Sequence, residues 1–233
     1  MSEPAAARVV FGPALETARN YAAMLTGIAV ERGLIGPAEA GRVWQRHLLN
    51  SAVVAELIPE RCALADLGSG AGLPGIVLAI VRPLAVVTLV EPMARRTAFL
   101  AECVDRLGLR NVRIKRARAE QLAGQVEADI VTARAVARLD RLAGLAVGLA
   151  RPGGTVLAIK GASAAAELDL ARPELRRIGA TGAELLRLGD GVLEQPTTVI
   201  RFTTAGRRRG SADSRSSAPR TMAGARRRGT RRV

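Results

Sequence analysis

The chain has 233 residues, 48% of them hydrophobic and 2% aromatic, and carries a formal net charge of +14. That length suits one α/β domain with a small extension, whose core Ala, Val, Leu and Ile must fill. Two cysteines, Cys62 and Cys103, are too few for a disulfide framework or a zinc site, and no apolar run approaches the ~18–20 residues of a membrane span.

No basic stretch followed by an apolar run opens the chain, so a soluble cytoplasmic protein is expected; a monomer is expected as well. The charge is uneven. From Gly206 onward ten arginines and one aspartate give +9, which leaves +5 for residues 1–205. The body is therefore only mildly basic, and a GC-rich coding bias would produce the same arginine excess as RNA binding. Only two lysines, Lys115 and Lys160, stand among the 35 basic residues.

Residues 1–10 carry no clear pattern. From Phe11 to Glu31, Leu15, Ala18, Tyr21, Ala22 and Leu25 recur at helical spacing, until Gly33 and Gly36-Pro37 break the chain. A second helix is predicted from Pro37 to Ile58, ended by Pro59. It carries Arg46 and the only histidine, His47. Residues 1–58 thus read as a helical extension placed before the main domain, residues 59–205.

In that domain strands are predicted at 62–67, 85–91, 111–115, 128–133, 154–160, 182–188 and 197–203. Helices are predicted at 74–81, 93–107, 119–123, 138–150 and 163–178. The first strands are unbroken Val, Leu and Ile runs, as in parallel strands buried on both faces. The alternation predicts a Rossmann-like, seven-stranded, mostly parallel sheet with a ligand at the strands' carboxyl ends. The short link from Gly189 to Pro196 makes the last two strands an antiparallel hairpin. Residues 206–233, rich in Gly, Ser, Ala and Arg without apolar periodicity, are expected to be a disordered tail.

The stretch Asp66-Leu-Gly-Ser-Gly-Ala-Gly-Leu-Pro-Gly75 joins the first strand to a helix. Two parses fit. Gly70, Gly72 and Gly75 have the spacing of a dinucleotide fingerprint, with a pyrophosphate on the helix N-terminus. Asp66, Gly68, Gly70 and Gly72 instead fit the acid-x-Gly-x-Gly-x-Gly form typical of S-adenosylmethionine-dependent methyltransferases. Glu91 closes the second strand, where a carboxylate can accept both ribose hydroxyls of an adenosine. After the third strand, Ala119 and Glu120 could border the adenine, or could simply start a helix. Arg134 ends the fourth strand and Lys160 the fifth. An arginine there could hold a phosphate, a guanine edge or a carboxylate, or form a salt bridge at the sheet rim. No cysteine stands at that rim, which argues against covalent attack on a pyrimidine.

Taken together, Arg46-His-Leu-Leu-Asn-Ser51, Asp66–Gly75, Arg95-Arg-Thr-Ala-Phe-Leu100, Arg118-Ala-Glu120, Arg134-Ala135 and Ala158-Ile-Lys-Gly161 resemble the glucose-inhibited division protein B family. The resemblance spans about residues 10–203 and leaves the tail uncovered. It implies a class I methyltransferase that takes a methyl group from S-adenosylmethionine to N7 of a guanine in small-subunit (16S) ribosomal RNA. It makes Gly68, Leu73, Ala119, Glu120 and Arg134 cofactor-binding positions, alongside Asp66, Gly70, Gly72 and Glu91. Arg134 and Lys160 are expected to act at the transfer site, and Arg46, His47, Arg95, Arg96 and Arg118 to grip RNA phosphates. No metal is expected. Two other classes stay open: an NAD-dependent oxidoreductase, which would want a Tyr–Lys pair or a pocket histidine, and a non-catalytic RNA-binding protein.

Overall fold

The computed structural model describes residues 3–205. The predicted tail, 206–233, lies outside the described residues. The N-terminal part is a chain of short helices: α1 (Ala6–Phe11), α2 (Leu15–Thr26), α3 (Ile28–Glu31), α4 (Pro37–Ala40), a π-helical stretch at Val43–Leu49, and α5 (Asn50–Ala52), followed by a 3₁₀ segment at Val53–Leu57. The single long helix predicted over 37–58 is therefore wrong in form. The chain breaks at Gly41, and the widened π stretch holds Arg46 and His47. An apolar period of about 3.6 reveals neither event, because Val43, Trp44, Leu48 and Leu49 stay buried throughout. The start is also more ordered than expected, since α1 begins at Ala6.

The sheet follows as β1 (Ala63–Leu67), β2 (Val86–Val90), β3 (Val112–Lys115), β4 (Ala128–Arg134), β5 (Ala150–Lys160), β6 (Thr181–Leu188) and β7 (Thr197–Thr203). Between the strands run α6 (Gly75–Val81), α7 (Ala94–Arg106), α8 (Leu139–Leu149) and α9 (Ala164–Arg177), with a 3₁₀ turn at Ala119–Leu122. The spatial order is β3-β2-β1-β4-β5-β7-β6. The first five strands are parallel, and β7 runs antiparallel to both β5 and β6. This is the predicted architecture. One strand differs: β5 starts at Ala150, because pairing resumes across a bulge opposite Ala128 and carries the strand through Arg151-Pro-Gly-Gly154, which reads in sequence as a turn.

The order reverses between β1 and β4, which opens a crevice at their carboxyl ends. Each sheet face has its own core. One face is covered by α8 and α9, with Leu142, Leu149, Leu168 and Phe202 buried. The other is covered by α6, α7 and the N-terminal helices together, so that Tyr21, Leu25 and Leu48 share one core with Leu64, Ile76 and Phe99. Phe11 meets Trp44 edge-to-face at 6.1 Å. Phe11, Leu25, Leu48 and Leu49 alone, at ~1.5–3 kcal/mol each, match the ~5–15 kcal/mol by which a whole domain is stable. The N-terminal helices are a layer of the fold, not an appendage to it.

Candidate cofactor site

The glycine-rich turn is fixed from below by Asp66, which is fully buried. Its Oδ2 accepts the Gly75 amide at 3.0 Å, its Oδ1 accepts the Thr132 hydroxyl at 3.0 Å, and its carbonyl accepts the Ser69 hydroxyl at 3.0 Å. Burial pushes its carboxyl up to about 6, against the pull of these donors. With no surface to offer a ligand, Asp66 holds the loop, which corrects its expected place among cofactor contacts.

Gly68 and Ser69 donate to the Val90 carbonyl at 2.9 and 3.1 Å, tying the loop to the end of β2. Gly68, Gly70 and Gly72 all have positive φ, at 70°, 60° and 100°. At Gly75 a side chain would strike Leu89 and Asp66. The start of α6 offers few free amides: Gly75 donates to Asp66, Ile76 to Gly72 at 2.8 Å and Leu78 to Pro74 at 3.0 Å. A pyrophosphate would need those groups free. The turn is built for shape, not for phosphate.

Beside it lies a cleft of about 310 Å³, lined among others by Gly68, Glu91, Arg96, Ala119, Glu120 and Val136. Four of these six stand where the sequence places cofactor contacts. Glu91 is buried, and its two oxygens accept the Gly70 and Met93 amides, each at 3.0 Å. Each carboxylate oxygen keeps a further lone pair, so hydroxyl donors can still be received. Arg96 is drawn inward, 3.5 Å from Glu91, and so belongs to the cleft rim rather than to an outer basic surface. Arg95, Arg118 and the Arg46 side chain are exposed, and Arg118 also lines the cleft.

Arg134, Leu73, Gly70 and Gly72 do not line this cleft. Leu73 is half-buried against the core under the N-terminal helices. Arg134 points the same way: its Nη2 donates to the Arg46 carbonyl at 3.0 Å and meets His47 Nδ1 at 2.7 Å. Its Nη1 is buried without a hydrogen-bond partner among the described residues. The loop therefore divides the expected cofactor residues into two groups. One surrounds a carboxylate-flanked cleft, and the other presents an arginine.

His47 is 9% exposed, and its Nε2 faces Glu39 Oε2 at 3.1 Å. Burial, reinforced by the Arg134 charge, lowers its pKa to about 4. A buried neutral imidazole cannot grip a phosphate as a cation, so its expected part in RNA binding is corrected. Lys160 is likewise engaged, donating to the Ala137 carbonyl at 2.8 Å and pairing with Glu167 at 2.8 Å. It fastens the segment after β4. Within that segment Ala135 has φ 53°, and Val136 covers Gly68 so closely that an added Cβ there would sit 2.8 Å from its methyl.

Tyr21 is a structural partner that its helical spacing alone did not reveal. It is fully buried, and its hydroxyl donates to the Ala71 carbonyl at 2.7 Å, bracing the loop from the N-terminal layer. Among the described residues, no group of three or more His, Cys, Asp or Glu could hold a metal ion, and no helix is long and apolar enough to cross a membrane.

A family model of rRNA small subunit methyltransferase G (GidB) matches residues 14–185. The chain is 52% identical over 228 residues to "Ribosomal RNA small subunit methyltransferase G" of Thermobifida fusca, covering 97% of this chain and 96% of that one. It is 54% identical over 202 residues to the protein of the same description from Salinispora tropica, covering 84% of each. Among solved structures, a SAM-dependent O-methyltransferase of Thermotoga maritima superposes with a TM-score of 0.55 at 16% identity, over 69% of this chain and 66% of that one. TYW2 of M. jannaschii in complex with AdoMet gives 0.53 at 16% identity, over 69% and 76%. These two likenesses are of fold.

Proposed function

The chain belongs to the rRNA small subunit methyltransferase G (GidB) family, and we propose that it methylates N7 of a guanine in small-subunit ribosomal RNA, using S-adenosylmethionine. The observation that carries the cofactor reading is the hydrogen bonding of the turn. Its helix-start amides are taken internally, while carboxylates at Glu91 and Glu120 flank the cleft. Such a site suits ribose hydroxyls and an adenine amine, and the turn has few amides left over for a pyrophosphate. Glu91 would receive the ribose, Ala119 and Glu120 would border the adenine, and Arg134 would hold the amino-acid carboxylate through Nη1.

When bound, S-adenosylmethionine supplies an electrophilic methyl group, which guanine N7 can take without a base because its lone pair carries no proton. The protein's task is then placement. Asp66, Tyr21 and Gly75 fix the loop, and Lys160 holds the segment 135–137 against it. Arg46, Arg95 and Arg118 present exposed guanidinium groups to the RNA backbone. An rRNA substrate also implies work in the cytoplasm.

The oxidoreductase reading loses its support here. Tyr21 is buried under the loop and Lys160 is bound to Ala137 and Glu167, so they form no catalytic pair. A purely RNA-binding protein would leave the cleft without a purpose. Calorimetry with S-adenosylmethionine and with NAD, followed by mapping of methylated guanines in rRNA from cells with and without the gene, tests the proposal. Binding of the former alone and loss of one N7-methylguanine are expected. NAD binding, or an unchanged methylation map, would sink it. Arg134→Ala should remain folded and lose methylation by about a hundredfold or more, of the order seen when a positioned charge is removed from a site.

A further inference from the structure

The guanidinium of Arg134 has only donors, so where its Nη2 lies 2.7 Å from His47 Nδ1 the imidazole nitrogen must be the acceptor. The ring proton is thereby placed on Nε2, which lies 3.1 Å from the Glu39 carboxylate without hydrogen-bond geometry, so that Glu39 favours this tautomer through its charge. Glu39 also pairs with the Arg46 side chain at 3.2 Å, and the Arg46 carbonyl takes a second bond from Arg134 Nη2. One end of the guanidinium is thus held by two acceptors on the N-terminal layer. The other end, Nη1, is buried and unpartnered among the described residues. A planar guanidinium gripped at one nitrogen has its other nitrogen aimed as well.

We propose that His47 and Glu39 are positioning residues: His47 orients Arg134 so that Nη1 is presented to the carboxylate of S-adenosylmethionine, and Glu39 fixes the tautomer in which His47 can do so. The inference rests on the functional reading above and adds to it a role for the N-terminal layer. His47 stays neutral near pH 7, which preserves Nδ1 as an acceptor; a charged ring would lose it and repel Arg134. The arrangement follows the usual logic of an outer group that orients a ligating one, here with an arginine in place of a metal-bound side chain.

The test is calorimetric binding of S-adenosylhomocysteine to the full chain, with thermal unfolding to confirm the fold. His47→Leu is expected to weaken binding by about tenfold, the equivalent of one lost charge-assisted hydrogen bond. His47→Asn, whose side-chain oxygen can stand near the Nδ1 position, should restore most of it, whereas His47→Gln, with its oxygen farther out, should not. On an Arg134→Ala background His47→Leu should cost nothing further. Nitrogen NMR of the imidazole should show a protonated Nε2 and a bare Nδ1 in the wild type, with mixed tautomers in Glu39→Ala. Unchanged affinity in a folded His47→Leu, or an equal loss with and without Arg134, would overturn the proposal. If His47→Leu does not fold, equal affinities of the Asn and Gln variants would overturn it instead. A wild-type chain that binds no S-adenosylhomocysteine would refute the functional reading, and the positioning role with it.

Discussion

Gly68 has room for nothing but hydrogen. Its φ of 70° costs an L-residue ~1–2 kcal/mol, and an added Cβ would sit 2.8 Å from a Val136 methyl. Gly68→Ala is expected to push the segment 135–137 out of place and to weaken S-adenosylhomocysteine binding by about tenfold or more, as read by calorimetry. Ala135 is the converse case, a side chain held at φ 53° where glycine would be at ease. Ala135→Gly should leave unfolding free energy unchanged or raise it by up to ~1 kcal/mol, a difference that urea unfolding can resolve. The glycines and the acid of the turn were legible from spacing. What Asp66 does was not, because spacing cannot distinguish a carboxylate facing a ligand from one buried beneath the loop. The donors that decide it, the Gly75 amide and the Thr132 hydroxyl, lie nine and 66 residues away.

At the level of elements, the apolar runs made β1, β2 and β4 the plainest strands, since parallel strands buried on both faces have few sequences to choose from. The N-terminal helices were less legible. Their apolar stripe shows that one face is buried but not against what. Tyr21 therefore looked like one core residue among several, although its hydroxyl reaches Ala71 across 50 positions. Tyr21→Phe removes that bond and leaves the ring. It should cost ~1 kcal/mol, or about 2–4 °C in Tm for a chain of this size, together with a loss of cofactor affinity. Unaltered affinity at an unaltered Tm would mean that the loop needs no brace from α2. The π-helical stretch at Val43–Leu49 was invisible for a similar reason: it changes which way Arg46 and His47 face without changing which residues are apolar.

For the molecule as a whole, two buried groups pull stability in opposite directions with pH. His47 has its pKa lowered from an ordinary 6.5 to about 4, so the unfolded chain takes up a proton that the folded chain refuses, and stability is lost as pH falls through that window. Asp66 has its pKa raised from 3.8 to about 6, so the folded chain keeps a proton that the unfolded chain releases, and stability is lost as pH rises through nearly the same window. Each is worth ~3 kcal/mol at ~1.4 kcal/mol per unit, and the two largely cancel. Asp66→Asn should therefore compare worse with the parent at pH 4.5 than at pH 6.5, and His47→Asn should compare better. Urea midpoints at the two pH values test both, and parallel changes would mean that burial does not govern these groups.

The antiparallel seventh strand carries the chain away from the cleft. β7 pairs Thr198 with Lys160, at the cleft end of β5, and Thr203 with Thr155, five steps towards the other end. At ~3.4 Å per step the chain has travelled about 17 Å from the cleft when it reaches Thr203, and Ala205 is pinned there by the Gly153 amide at 3.3 Å. The described residues thus end at the rim opposite the cleft. Cutting the chain after Ala205 is expected to flatten the salt dependence of RNA affinity while sparing the rate at saturating substrate. A flattened salt slope at an unchanged rate would assign the arginine-rich segment to holding RNA and leave methyl delivery to the cleft.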